Sequence, residues 1–238
     1  GVQTCALPIW RSLLQQTFDR FNKLIPTENI LVVTNDLYAD LVKQQLPELA
    51  PEQILLEPTR RNTAPCIAWA AYHIQALNPN ANIVVAPSDH LILKETEFLS
   101  AIEKGLEFVS QSENLLTLGI KPNRPETGYG YIKRGASLSR ECFEVDSFVE
   151  KPCLEKAKEY VASAEYSWNS GMFMFKADKF LSELEKFSPD IYQSAKESVI
   201  KSQRDMNFIR VEPEAFQRCP SDSIDYAVME KTQDRKSV

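Results

Sequence analysis

Residues 82–92 read NIVVAPSDHLI. Ile83 to Pro87 is apolar enough for a strand covered on both faces, yet the chain then delivers Ser88, Asp89 and His90 in succession. Outward from this stretch, short apolar runs alternate with helical patterns. ENILVVTN (28–35) precedes DLYADLVKQQL (36–46), QILLE (53–57) precedes TAPCIAWAAYHIQAL (63–77), and NIVVAP precedes EFLSAIEKGLEFVS (97–110), with NLLTLGI (114–120) following. Such alternation predicts an α/β fold, a parallel sheet with helices on both faces. Ala64, Ile67, Ala68, Ala71 and Ile74 follow the 3.6-residue period, and Pro65 falls in the first turn, where a missing N–H costs little. Beyond residue 120, GYGYIKRG (128–135), CFEVDSFVEKP (142–152) and GMFMFKA (171–177) read as strands, with helices near 154–163 and 177–187. This half is expected to extend the same sheet within one domain.

The chain has 238 residues, 43% hydrophobic and 25% charged, as in ordinary globular domains. No run of about 18 apolar residues could cross a bilayer, and no secretory signal pattern opens the chain, so a cytoplasmic location without a membrane partner is expected. Cys5, Cys66, Cys142, Cys153 and Cys219 are odd in number, widely spaced and form no C-x-x-C pair, which suggests neither a disulfide framework nor a zinc site. A net charge of −6 argues against general affinity for nucleic acid. An anionic ligand must therefore meet a local cluster of Lys and Arg.

The two ends differ from the rest. GVQTCALPIW has no clear period and runs into RSLLQQTFDRF, an amphipathic helix with no strand ahead of it. Both GVQTCALPI and the closing DRKSV resemble translated adapter rather than coding sequence. The expected division is a leader at 1–11, a domain at 12–232 and a tail at 233–238.

Ligands of open α/β sheets bind beyond the carboxyl ends of the strands, where Ser88 and Asp89 would fall. A carboxylate there can hold Mg²⁺, or either residue can cap a following turn. EPTRRNTAP (57–65) follows a strand and opens a helix, whose free N–H groups suit a base edge or phosphate. A capped helix with two solvated arginines, Arg60 and Arg61, fits the same letters. Neither G-x-G-x-x-G nor G-x-x-x-x-G-K-[ST] occurs, so the usual phosphate cradles are missing. In RPETGYGYIKRG (124–135), glycines flanking Tyr129 permit close approach of a ligand, or make a bulge. FVEKP (148–152) sets Glu150 and Lys151 at a strand end, and WNSG (168–171) sets Asn169 just before another strand. A carboxylate and an amide suit sugar hydroxyls and a lysine suits phosphate, although strand-end ion pairs and turns use the same residues. SDSIDYAVMEK (221–231) reads as a capped helix. Asp225 in its first turn either serves the helix dipole or joins Asp89 on one cation.

Together and in this order, LLEPTRRNTAPCIA, VVAPSDHLI, GIKPNRPETGYGYI, FVEKP, WNSGMFMF and SIDYAVMEK resemble the bacterial mannose-1-phosphate guanylyltransferases, over roughly Ser12 to Thr232. The resemblance implies a Rossmann-like, GT-A-like nucleotidyltransferase fold with a mixed sheet. It also implies a Mg²⁺-dependent reaction of GTP with mannose 1-phosphate. By the same resemblance Glu57, Pro58, Arg61, Asn62, Thr63 and Ser88 would line the guanosine pocket, and Asp89 and Asp225 would share the metal. Gly128, Tyr129, Gly130, Glu150 and Asn169 would surround mannose, and Lys151 would neutralise its phosphate. The family's first strand, its G-G-x-G-x-R-x-W-P-x-S-R signature and its P-K-Q-F lysine do not occur here, so little activity and poor stability are expected of these 238 residues. Two alternatives are another sugar-1-phosphate nucleotidyltransferase and a non-catalytic nucleotide-sugar-binding subunit. Self-association into a homo-oligomer is left open, as is the C-terminal isomerase domain that some relatives carry.

Overall fold

The structure is a computed structural model that describes residues 11–138, 142–205 and 208–237; nearly all of the leader at 1–11 lies outside the described residues. In chain order the elements are α1 (Leu13–Phe21), β1 (Val32–Asn35), α2 (Ala39–Gln45), β2 (Ile54–Glu57), α3 (Thr63–Leu77), β3 (Asn82–Val85), α4 (Glu95–Ser110) and β4 (Leu115–Ile120). There follow β5 (Tyr131–Ser137), β6 (Phe143–Val149), α5 (Leu154–Ser163), β7 (Tyr166–Lys176), α6 (Ala177–Phe187), α7 (Pro189–Ile200), β8 (Gln203–Asp205), β9 (Phe208–Arg210), α8 (Pro213–Arg218) and β10 (Arg235–Ser237). Among the described residues no helix is long and apolar enough to cross a membrane.

The fold is α/β, as the alternation predicts, but the strands form two sheets rather than one, and the larger is the mixed sheet that the family resemblance implies rather than a parallel one. The smaller runs β1-β2-β9-β8, with β1, β2 and β9 parallel. The larger runs β3-β7-β4-β10-β6-β5, and β5 pairs with β7 as well. Local pattern suggests that β3 and β4, joined through α4, are parallel neighbours. Instead β7 enters between them and pairs antiparallel with both. After β4 no helical crossover intervenes before β5 and β6, and strands joined by a short connection return antiparallel.

Part of the expected tail at 233–238 pairs with the large sheet. Residues 235–237 form β10, parallel to β4 and antiparallel to β6. The physical reason is that the backbone donors and acceptors of those two strands find partners there.

Strict alternation along β7 covers both faces of the large sheet. Phe173 and Phe175 enter a core with Ala64, Ile67, Ala68 and Ala71 of α3, and Phe175 stacks on Phe180 with ring centroids 4.7 Å apart. Met172 and Met174 enter a second core with Ile102 and Val109 of α4. Gly105 lets that helix close in, since a Cβ there would lie 2.5 Å from Met174 Cε. Each such buried side chain contributes roughly 1.5–3 kcal/mol. The periodic stripe of α3 accounts for one face only: Trp69, fully buried, packs with Leu55, Val211 and Phe216 against the small sheet. α3 thus serves both sheets. α1 reaches across them too, since Gln15 donates to the Gln45 carbonyl at 2.8 Å and Thr17 to the Ser88 carbonyl at 3.3 Å.

Candidate functional site

Three segments distant in sequence meet at the middle of β7. Asn169 lies inside that strand, not ahead of it as the WNSG motif suggests. Its backbone N–H donates to the Gly130 carbonyl at 2.8 Å. Its side-chain Oδ1 accepts from Thr117 Oγ1 at 3.2 Å and from the Gly171 N–H at 3.1 Å, which leaves Nδ2 to donate to Asp225 Oδ1 at 2.8 Å. The amide is therefore oriented by its surroundings. Gly171 makes the local break in β7, with φ +70, and a Cβ on it would lie 3.6 Å from Pro87 beyond the end of β3.

Gly130 is the glycine whose smallness matters. A Cβ there would lie 2.3 Å from Glu150 Oε2, so the carboxylate rests where any other side chain would begin. Glu150 Oε2 is buried and has no hydrogen-bond partner, while Oε1 sits 3.3 Å from Lys151 Nζ. Burial and the negative charge of Asp225 hold the Glu150 carboxyl above the usual range, against the pull of Lys151. Burial likewise raises Asp225, with Asn169 and Lys151 opposing. The pair forms a desolvated acid cluster beside one lysine. Tyr129, exposed, packs edge-on to Trp168 at 5.3 Å, and Gly128 N–H donates to Glu126 Oε1 at 3.2 Å.

The helix expected over 221–231 is a single π turn, Asp225–Met229, in which Glu230 N–H donates to the Asp225 carbonyl at 2.8 Å. Such turns insert a residue into helical geometry and change the direction of a side chain. The preceding residues are stitched to the start of α3, since Ile224 N–H donates to Thr63 Oγ1 at 2.9 Å and Ala64 N–H to the Asp222 carbonyl at 3.1 Å.

The segment 57–63 is only partly free for a ligand. Asn62, at φ +68, accepts from Thr63 N–H, so the first donors of α3 are already engaged. Arg61 bonds the Gln217 carbonyl of α8, and Arg60 bonds the Tyr38 hydroxyl at 3.0 Å. Pro58 is half-buried. Glu57 ends β2 buried, with Oε1 unpartnered, and burial pushes its carboxyl up to about 7. Ser88 and Asp89 are exposed in the turn after β3. Among the described residues no hydrogen bond or ion pair joins Asp89 to Asp225, and no group of three metal-ligating side chains occurs. The turn carrying Asp89 passes near the β7 segment that carries Asn169, since a Cβ on Gly171 would lie 3.6 Å from Pro87. Two cavities of about 340 and 410 Å³ are lined by none of these site residues.

Sequence reasoning passed over Thr117, which orients Asn169, and Glu230, whose Oε1 accepts from the Glu150 N–H at 3.0 Å. Glu230 stood inside the quoted SIDYAVMEK, and only its spacing of five from Asp225 could have drawn attention to it.

A family model described as Nucleotidyl transferase matches residues 3–213. Mannose-1-phosphate guanylyltransferase of Escherichia coli K12 is 44% identical over 231 residues, 94% of this chain and 48% of that protein. The enzyme of that name from Salmonella muenchen is 46% identical over 225 residues, 93% of this chain and 47% of its own length. The chain thus spans about half the length of these relatives. Among solved structures, mannose-6-phosphate isomerase from Helicobacter pylori is 30% identical with a TM-score of 0.83, over 96% of this chain and 88% of that one. Mannose-1-phosphate geranyltransferase from Thermus thermophilus is 28% identical with a TM-score of 0.82, over 95% and 63%. UDP-glucose pyrophosphorylase bound to UDP-glucose shares the fold at 15% identity and a TM-score of 0.50. With its match running over residues 3–213, well over half of the chain, this protein belongs to the nucleotidyl transferase family.

Proposed function

We propose that this chain is the transfer domain of a mannose-1-phosphate guanylyltransferase, converting GTP and α-D-mannose 1-phosphate to GDP-mannose and diphosphate. A phosphate oxygen of the sugar attacks the α-phosphorus as the bond to the β-phosphate oxygen breaks, with no covalent enzyme intermediate. The observation that carries the reading is the cluster of Gly130, Glu150, Lys151, Asn169 and Asp225, supported by the similarity to the named relatives. Glu150 Oε2 is a buried acceptor without a donor, as a hexose hydroxyl would require. Asn169 keeps a second amide N–H for the sugar, and Gly130 makes room for the Glu150 carboxylate beside Gly128 and Tyr129. Lys151 supplies positive charge for the sugar phosphate.

On the nucleotide side, Glu57 offers an acceptor matched to the N–H edge of guanine, with Pro58, Arg61, Asn62, Thr63 and Ser88 around the nucleoside. The donor set also suits Mg²⁺, a hard cation that favours carboxylate oxygens, because Glu150 and Asp225 bring two carboxyls close enough to feel one another with one lysine beside them. Asp225 and Asp89 would hold the ion, which when bound supplies charge neutralisation at the phosphates. The residues of the chain then act by positioning and by electrostatic stabilisation. A cytoplasmic location fits substrates of this kind.

Diphosphate release with GTP, UTP and dTTP, each with mannose 1-phosphate and Mg²⁺, tests the reading. We expect GTP to be preferred by at least about tenfold. A preference for another nucleotide would count against it.

A further inference from the structure

Lys151 has φ +47, a left-handed backbone that side chains other than glycine adopt reluctantly. Such a conformation persists only where its surroundings over-determine it. Here the backbone is held on both sides: Lys151 N–H donates to the Tyr129 carbonyl at 3.2 Å, and Glu150 N–H donates to Glu230 Oε1 at 3.0 Å. Glu230 is in turn tied to the acid cluster, its own N–H bonding the Asp225 carbonyl at 2.8 Å. One side chain therefore connects the turn carrying Glu150 and Lys151 to the turn carrying Asp225. A bond from an N–H to a carboxylate is stronger than one to a neutral acceptor, which suits a group opposing backbone strain. It also places a third acid near Glu150, an arrangement unfavourable unless the hold itself is needed.

We propose that Glu230 is a positioning residue, whose carboxylate holds the Glu150–Lys151 turn in its left-handed form and so sets both side chains for the sugar phosphate. The assignment of that ligand rests on the function proposed above; the hold on the turn does not. If Glu230 merely filled space, loss of its carboxylate would lower thermal stability without singling out one amide or one ligand.

The test compares Glu230→Ala and Glu230→Gln with the unaltered chain. Amide hydrogen exchange is read at Glu150 and Lys151, binding of mannose 1-phosphate and of GTP by calorimetry, and stability by thermal melting. Glu230→Ala should speed exchange at Glu150 and weaken mannose 1-phosphate binding, each by about tenfold, the scale of one lost hydrogen bond to a charged group. GTP affinity should stay within about twofold, since this bond does not reach the nucleotide side. Glu230→Gln, which keeps an acceptor, should recover most of both losses. Unchanged Glu150 exchange in Glu230→Ala, or equal losses for the two ligands with no rescue by Gln, would overturn the proposal. Should the unaltered chain bind no mannose 1-phosphate while Glu150 exchange still responds, the substrate reading fails and the hold on the turn stands.

Discussion

The side of the site built on β7 and the side built on the ends of β2 and β3 are organised differently. Around β7, Asn169 is fixed by Gly130, Thr117, Gly171 and Asp225, and the turn at Lys151 is held from both flanks. On the other side Asn62, Thr63, Ser88 and Asp89 are exposed, and the hydrogen bonds there serve mainly to shape the backbone. Glu57 is the exception, buried and lacking a partner for one oxygen. A network whose members constrain one another holds its geometry before a ligand arrives, and preorganisation of that kind is what positioning catalysis requires. The contrast teaches that the β7 side is a network whose members already fix one another, whereas the opposite side offers exposed turns and an unpartnered acceptor.

Experiments can break this contrast. The largest effect is expected from the acids assigned to the cation. Asp225→Asn and Asp89→Asn should each reduce turnover on the order of a hundredfold, the scale of removing one group that stabilises transition-state charge. Because Asp225 sits in a network and Asp89 is exposed, only Asp225→Asn should also disturb mannose 1-phosphate binding. Calorimetry showing equal effects on binding would erase the distinction between the two sides.

Gly130→Ala should come next. The added methyl would lie 2.3 Å from Glu150 Oε2, and relieving such overpacking costs typically about 1–3 kcal/mol. Mannose 1-phosphate affinity should fall by about tenfold or more, with GTP affinity little changed. A Gly130→Ala protein that binds the sugar phosphate normally would show that Glu150 is free to move and the subsite is not preformed.

The last effect falls on stability rather than on turnover or binding; it concerns Glu57 and depends on pH. Its carboxyl is raised in the folded state to about 7, so the folded protein holds the proton more tightly than the unfolded chain does. That contribution is fully present below the unfolded value near 4.5 and is lost as pH rises towards 7. Glu57→Gln should therefore gain stability relative to the unaltered chain as pH rises from 4.5 to 7, approaching at most about 3 kcal/mol before levelling off. Denaturant melts across this range decide it. A constant difference between the two proteins would mean that the carboxylate is already compensated.

Much of this could be read locally. The helices at 154–163 and 177–187 form with those bounds, because their apolar spacing and flanking residues act within a few turns. The motif residues on the β7 side, Gly130, Glu150, Lys151, Asn169 and Asp225, do gather around one point. Less legible were the π turn, which differs from an α-turn by one inserted residue that no period reveals, and the engagement of Arg61 and Thr63 by α8 and Ile224. Arg61 reads as a free cation in sequence because its acceptor is a backbone carbonyl, and every residue carries one.

By itself the sequence determined the alternation of strands and helices, the apolar stripe of α3 and the residue types available for sugar and phosphate, since these follow from side-chain chemistry and short-range periodicity. Only the tertiary structure decided that β7 lies between β3 and β4, that Trp69 faces a separate sheet, and that Asn169 reaches Asp225. Strand order is chosen by which faces can be buried together and by backbone groups pairing across long stretches of chain, and neither leaves a local mark in the order of the letters.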